Sequence, residues 1–429
     1  MALFSRVAGA SGVQRVAAFV AAAACSVAVA RAQAAERVAI VAAKVLVASW
    51  EGQQVVDRGV VLVNGAKIEA VGPVGSIPIP AGTRVIDVGE RWVMPGMVDL
   101  HSHVGGPGGD INDMVFQCNP ELRASSAVVP SNRLLDRGLS AGVTTVLFIP
   151  GSGTNIGGQG ILVKTSPQTF DEMRIREPGS LKIAQGDNPT RWGYGMGRML
   201  MNHHIRDTLE KGRAYATAWE RYEKGEGVEP EKQLELEVFR DLFGHRTQIS
   251  THTQMYRLVL STISLMRGEF GLDVYIDHGE WAGYVAAPLA VKMGVPAIVG
   301  PREIDALSGR TPDTEGKVIS VSAEYQRRGP MQVGFNTDAP VVPQEELFLQ
   351  ASMGVRYGFE NDAMEAVRGL TIVPARTAGI AERVGSLEVG KDADLVVVGG
   401  DPTDPRNGVE LVMVEGRVVY DVSVDGRRF

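Results

Sequence analysis

Two histidines one residue apart close the apolar run Pro95-Gly96-Met97-Val98-Asp99-Leu100-His101-Ser102-His103. A strand alternates its side chains with a period of two, so His101 and His103 face the same side. They stand about 6–7 Å apart at roughly 3.3 Å rise per residue, close enough to converge on one metal ion. Imidazole is the commonest protein ligand for zinc and similar ions. Buried, hydrogen-bonded core histidines give the same local pattern, so the pair alone does not choose between the two.

Further metal-capable residues stand at the ends of other apolar segments. His252 ends Ile249-Ser250-Thr251-His252, His278 ends Tyr275-Ile276-Asp277-His278, and Asp338 follows Gly334-Phe335-Asn336-Thr337. The elements that must position them read as strands alternating with helices. Strands are expected at 97–103, 143–150, 161–164, 181–184, 248–252, 274–278, 297–299 and 333–337, and helices at 199–223, 231–243, 256–267 and 345–357. Eight strands with helices between several of them predict an α/β, TIM-like parallel (β/α)8 barrel over residues 93–383. Active sites of such barrels lie where the strands end. Four of the seven histidines and one aspartate share that address.

Short strands separated by turn signals such as Asn64-Gly65 fill residues 36–92, and the pattern returns over 384–429. Each terminal segment is too small to bury a core alone. The two are expected to pair into one small β-sandwich beside the barrel.

In these motifs the chain resembles the amidohydrolase superfamily of metal-dependent hydrolases. They are the Pro-Gly-x-x-Asp-x-His-x-His strand, the later lone histidines, the Thr337-Asp338-Ala339-Pro340 end, and the return Val384-Gly385-Ser386-Leu387-Glu388-Val389-Gly390-Lys391-Asp392-Ala393-Asp394-Leu395. Within that superfamily the chain is most similar to the imidazolonepropionase-like and dipeptidase-like branch. The resemblance implies one or two divalent ions, with zinc the default: one held by His101, His103 and Asp338, a second by His252 and His278. A carboxylated lysine would bridge them, since a carbamate supplies two anionic oxygens where an amine supplies none. Lys182, on the fourth strand, is favoured, and Lys164, at the end of the third, is the alternative. Without carboxylation a single ion would rest on His101, His103, His252 and Asp338.

The implied chemistry is hydrolysis of a C–N bond in a small substrate, such as a dipeptide, an N-acyl amino acid or a cyclic amide. Asp338 would take a proton from metal-activated water and return it to the leaving nitrogen, with His278 or a second ion polarising the carbonyl. Arg302, in Gly300-Pro301-Arg302-Glu303, would grip a substrate carboxylate or pair with a nearby acid. His203, beside His204 after the glycine-rich segment 193–197, is a candidate substrate contact or an exposed helix residue. His245 follows a helix end and reads as structural. The glycine-rich segments at 105–110 and 151–160 lack the Gly-Lys-Ser/Thr ending of a phosphate loop. A catalytically inactive binding or assembly protein on the same fold is the alternative reading; it predicts lost ligands, and here they are all present.

The first 32 residues read as an export signal: Arg6 and Arg15, an apolar run from Val16 to Ala30, and an Ala30-Arg31-Ala32 cleavage site. Cys25 follows Ala22-Ala23-Ala24, a poor lipid-attachment box, so the product is expected to be periplasmic or extracellular without an anchor or membrane span. Processing removes three arginines and no acid, leaving 40 basic against 50 acidic residues, a formal charge of −10. That charge disfavours nucleic acid and anionic membranes as partners. Cys118 is then the sole cysteine, so no intrachain disulfide forms. A small molecule is the expected partner, and whether the chain forms a homo-oligomer is not written in it.

Overall fold

Strong β-formers on both sides of tight turns build the N-terminal part as five strands. These are β1 (Arg37–Leu46), β2 (Val55–Asn64), β3 (Lys67–Pro73), β4 (Arg84–Asp87) and β5 (Trp92–Pro95). The structure is a computed structural model; it describes residues 36–428 except 131, 167–168, 187, 193–196, 306–317 and 330, so the expected signal segment lies outside the described residues. Among the described residues no helix is long and apolar enough to cross a membrane.

Eight strands follow: β6 (Met97–Ser102), β7 (Val143–Phe148), β8 (Ile156–Lys164), β9 (Arg174–Ala184), β10 (Gln248–His252), β11 (Ile276–His278), β12 (Ala297–Val299) and β13 (Val333–Phe335). One sheet runs β10-β9-β8-β7-β6 and another β11-β12-β13. Isolated parallel bridges join Ile249 to Val274 and Thr253 to His278 on one side, and Ser102 to Ala339 on the other. The strands thus close into a ring, as expected for a TIM-like barrel.

One strand breaks the expected pattern. β8 pairs antiparallel with both β7 and β9, so seven strands run one way and the third runs back. The reason is length. Only residues 149–155 connect β7 to β8, and a parallel crossover needs a dozen residues or more. The segment 151–160 is therefore partly a hairpin turn and partly strand.

The longest helix, Arg198–Glu223, buries Met201, Ile205, Leu209, Gly212 and Ala216, a stripe of helical period. Gly212 lets it approach Phe239 of the helix Glu237–Phe243; a Cβ there would lie 2.3 Å from that ring.

The C-terminal strands β14 (Leu395–Val398), β15 (Val409–Val414) and β16 (Arg417–Asp421) do not form a separate layer. β14 pairs with β5, giving one eight-stranded sheet, β16-β15-β14-β5-β1-β2-β3 with β4 on β1. Alternation sends Val396, Val398, Val412 and Val414 into the core shared with barrel residues such as Leu135 and Phe148. Leu395, Val397, Leu411 and Met413 go to a second core with Ile40, Val61 and Val93. Both faces of the sheet are thereby buried. Residues from Arg37 onward form a single unit, so the expected boundaries near 92 and 384 are seams within it.

Candidate metal centre

The ends of β6, β10, β11 and β13 carry His101 and His103, His252, His278 and Asp338, and they meet at one rim of the barrel. His101 Nε2 lies 3.2 Å from His103 Nε2, and Asp338 Oδ1 lies 3.2 Å and 3.3 Å from those two nitrogens. His278 Nε2 stands 3.0 Å from His252 Nδ1. Ligand atoms of His101, His278 and Asp338 all fall within 4.8 Å of one another. Lys182, on β9, places Nζ 3.2 Å from His101 Nε2 and 3.3 Å from the Thr251 carbonyl.

The outer ring nitrogens explain why these atoms face one point. His101 Nδ1 pairs with Asp277 Oδ2 at 2.8 Å, His103 Nδ1 with the Ile149 carbonyl at 2.9 Å, and His278 Nδ1 with the Gly300 carbonyl at 3.0 Å. In each pair the acceptor claims the Nδ1 proton, so each neutral ring presents a bare Nε2 lone pair inward. His252 Nε2 is buried with no partner. Lone pairs packed this closely repel unless a cation sits among them. The donor set fits a divalent ion.

Protonation behaviour points the same way. Burial lowers the pKa of His103 and of His278, and brings His252 down to about 3, so these rings stay neutral as ligands must. Burial also disfavours charge on His101, but Asp277 outweighs it and raises its pKa to about 9. Without a metal, a proton there takes the cation's place. Asp338, despite burial, is held well below the usual carboxylate range by His101. Burial pulls Lys182 down to about 8, partly offset by Asp277 and Asp338.

The backbone is bent to achieve this. His278 (φ 74°) and Asp338 (φ 48°) are left-handed non-glycine residues at strand ends, a conformation that costs energy and clusters at functional sites. Gly300 (φ 139°) brings its carbonyl to His278; a Cβ there would lie 2.4 Å from the Asn336 carbonyl.

Not every expected residue arrives. Because β8 is reversed, Lys164 pairs with Thr145 at the start of β7 and sits at the far end of the barrel. It is buried there against Asp394 and, at 3.0 Å, Asp392. It therefore takes no place beside the ions. His203 is an exposed residue of the helix Arg198–Glu223 and does not line the cavity over the centre. His245 pairs with Asp273 at 2.8 Å, away from the rim. Arg302 does reach that cavity of about 460 Å³, with His103, His252, Trp281, Arg191 and Asp338. Of the two readings made for it, the structure shows the pairing with an acid: its Nη1 lies 3.5 Å from the buried Glu280.

Sequence reasoning gave no role to Asp277, Glu280 and Asn336. Asn336 Nδ2 donates to Asp277 Oδ1 at 3.2 Å, fixing the carboxylate that orients His101. Glu280 accepts from Gln254 at 3.1 Å and from the Arg302 backbone at 2.9 Å. A carboxylate inside an apolar strand, as in Tyr275-Ile276-Asp277, was the available signal, because a buried acid needs a partner. A larger cavity of about 680 Å³ lies between the sheet and the barrel helices, lined by Met94, Phe348 and Val396. Its arginines are already engaged, Arg406 by Asp404 and Arg427 by Glu410. Its carboxylate, Glu410, is occupied by Arg427, and no histidine lines it, whereas the smaller cavity carries His103, His252 and Asp338.

Known proteins resemble the chain in sequence and overall fold. The model of the amidohydrolase family matches residues 331–419. The chain is 25% identical over 411 residues to amidohydrolase tasK of Hapsidospora irregularis, covering 87% of this chain but only 40% of that longer one. It is 24% identical over 372 residues to imidazolonepropionase of Rhizobium rhizogenes, covering 81% and 88%. A solved amidohydrolase from Thermotoga maritima MSB8 superposes with a TM-score of 0.76 at 29% identity, covering 90% of this chain and all of that one. With a rim of bare imidazole nitrogens and one carboxylate, the chain is similar in sequence and fold to proteins of the amidohydrolase family.

Proposed function

We propose that the protein is an exported, divalent-metal-dependent amidohydrolase that cleaves the amide bond of a dipeptide, an N-acyl amino acid or a cyclic amide. The observation that carries this reading is the convergence of bare nitrogens from His101, His103 and His278 with Asp338 Oδ1. Those residues, with His252 and Lys182, would hold one or two ions. When bound, such an ion lowers the pKa of water towards about 7 and polarises a carbonyl. Zinc is the default for this nitrogen-and-oxygen set, and manganese, iron or nickel are also compatible.

The chain's own residues supply the rest. Asp338, ionised and in reach of both first-strand histidines, accepts the water proton and delivers it to the leaving nitrogen. His278, its outer nitrogen tied to the Gly300 carbonyl, would act through an ion it holds, which would polarise the scissile carbonyl. Lys182 has a depressed pKa and so a larger share of neutral amine, the form that adds to carbon dioxide and loses a proton to become a carbamate. Arg302 stands at the cavity wall as a carboxylate partner. An exported enzyme meets peptides and scavenged metabolites, which favours dipeptide or N-acyl amino acid substrates over a cytosolic intermediate.

The test is a hydrolysis screen of dipeptides, N-acyl amino acids and cyclic amides with metal-loaded protein, alongside metal analysis. Activity on an amide with stoichiometric metal is expected. Metal-free protein that gains no activity with zinc or manganese would sink the reading, and activity on lactones alone would refute the C–N assignment. Mass analysis of protein recovered outside the cytoplasm should find a chain starting near residue 33.

A further inference from the structure

At the opposite end of the barrel a pocket of about 260 Å³ opens among the starts of β9 and β10 and the helix Ile372–Thr377. It is lined by Arg176, Arg376, Thr377, Gln248, Arg246 and Arg267, among others. Two of these arginines are already neutralised: Arg246 by Asp241 at 2.7 Å, and Arg267 by Asp273 at 3.2 Å. Asp273, the one acid on the wall, is also engaged by His245 at 2.8 Å.

Arg176 and Arg376 differ. Among the described residues neither forms an ion pair. Arg376 lies 4.0 Å above the Trp50 ring. Arg176, half-buried, donates Nη2 to the Gly179 carbonyl at 2.9 Å and to Gln248 Oε1 at 2.7 Å. Its Nε, and the neighbouring Gln248 Nε2, are buried without acceptors. A buried donor without an acceptor is destabilising; burial lowers the Arg176 pKa, partly offset by Asp241. Two guanidinium groups without a paired carboxylate thus line one pocket, with Asp241 acting on Arg176 only at longer range. Planar donors reaching it from different elements suit an acceptor with oxygens in several directions.

We propose that this pocket is a second binding site, for a phosphate-class oxyanion held between Arg176 and Arg376 with Thr377 at its side. The ligand would tie the starts of β9 and β10 to the helix Ile372–Thr377, at the end of the barrel remote from the metal centre. The site stands independently of the hydrolytic reading.

Two measurements test it on the metal-loaded protein. Crystals soaked in selenate should show anomalous density between Arg176 and Arg376. Titration with inorganic phosphate and with glycerol phosphate, at constant ionic strength, should show binding weakened at least about tenfold in Arg376→Gln, the equivalent of one charge-assisted hydrogen bond, while amide hydrolysis stays unchanged. Arg176→Gln should match it, and the exposed Arg376 keeps the test decisive if the half-buried site does not tolerate change. Comparable binding of both probes assigns the site to phosphate esters; binding of inorganic phosphate alone assigns it to the free ion. No selenate in the pocket, or phosphate affinity unaltered in Arg376→Gln, overturns the proposal.

Discussion

Lys164 and Lys182 are both buried and lie on adjacent barrel strands, with Lys182 the expected bridge and Lys164 its alternative. They end at opposite ends of the barrel because β8 runs against β9. Lys182 meets imidazoles and two carboxylates that serve other groups, and its pKa falls to about 8 through burial. Lys164 meets Asp392 and Asp394, which return from the C-terminal segment to pair with it. Asp392 is held below its ordinary value, against the effect of burial, chiefly by Lys164. A buried amine is thus left reactive at one end and fully compensated at the other. Compensation makes a lysine structural; its absence next to metal-binding nitrogens makes one available for chemistry.

The largest contrast should come from removing each end's key group. His101→Ala should lose metal and activity together, by about three orders of magnitude or more in kcat/KM, the scale of removing an essential catalytic group. Asp338→Asn should lose far more activity than metal, read by turnover and metal content on one sample; equal loss of both would deny it the role of base. Lys164→Met should do the reverse. It leaves the buried Asp394 without its ammonium, while Asp392 keeps Lys67 and Arg383, and should cost about 3 kcal/mol of stability, while metal content and turnover per folded molecule hold. If Lys164→Met instead releases metal, the separation of the two ends is wrong.

Acidity sharpens the comparison with a third group. Among the described residues Glu303 is buried against Ser320 and Ser322, and burial raises its pKa to about 7. Its folded form binds an extra proton between about 4.5 and 7, so it makes stability fall as pH rises through that window. Asp392, its pKa depressed, contributes stability above its ordinary pKa of 3.8 and loses it as pH falls below. Denaturation across pH should show Glu303→Gln flattening the first slope and leaving the acid limb. The smallest effect belongs to Arg302→Met, expected to raise KM several-fold for a carboxylate-bearing substrate with little change in kcat, as lost uniform binding does. An equal fall in kcat would place Arg302 in the chemistry instead.

Much of the centre was legible because residue type and strand position together restrict what a side chain does. Two histidines at alternate positions, and others at strand ends, needed only the ring closure to meet. Asp277 was not legible: alternation turns it away from His278, and only the approach of β6 brings it under His101. Glu280 follows a left-handed turn that no local pattern announces. The expected sandwich became one continuous sheet because the pairing of β5 with β14 joins segments about 300 residues apart in sequence.

The amino-acid sequence by itself determined the donor set and the rim on which strand ends would gather, since ligand chemistry and hydrophobic period are local properties. Tertiary structure alone decided which lysine stands beside that centre, which acids orient its histidines, and where the uncompensated arginines at the base collect. Those outcomes depend on strand direction and on contacts between distant segments. A seven-residue connection forbade a parallel crossover, and that one reversal carried Lys164 to the far end of the barrel.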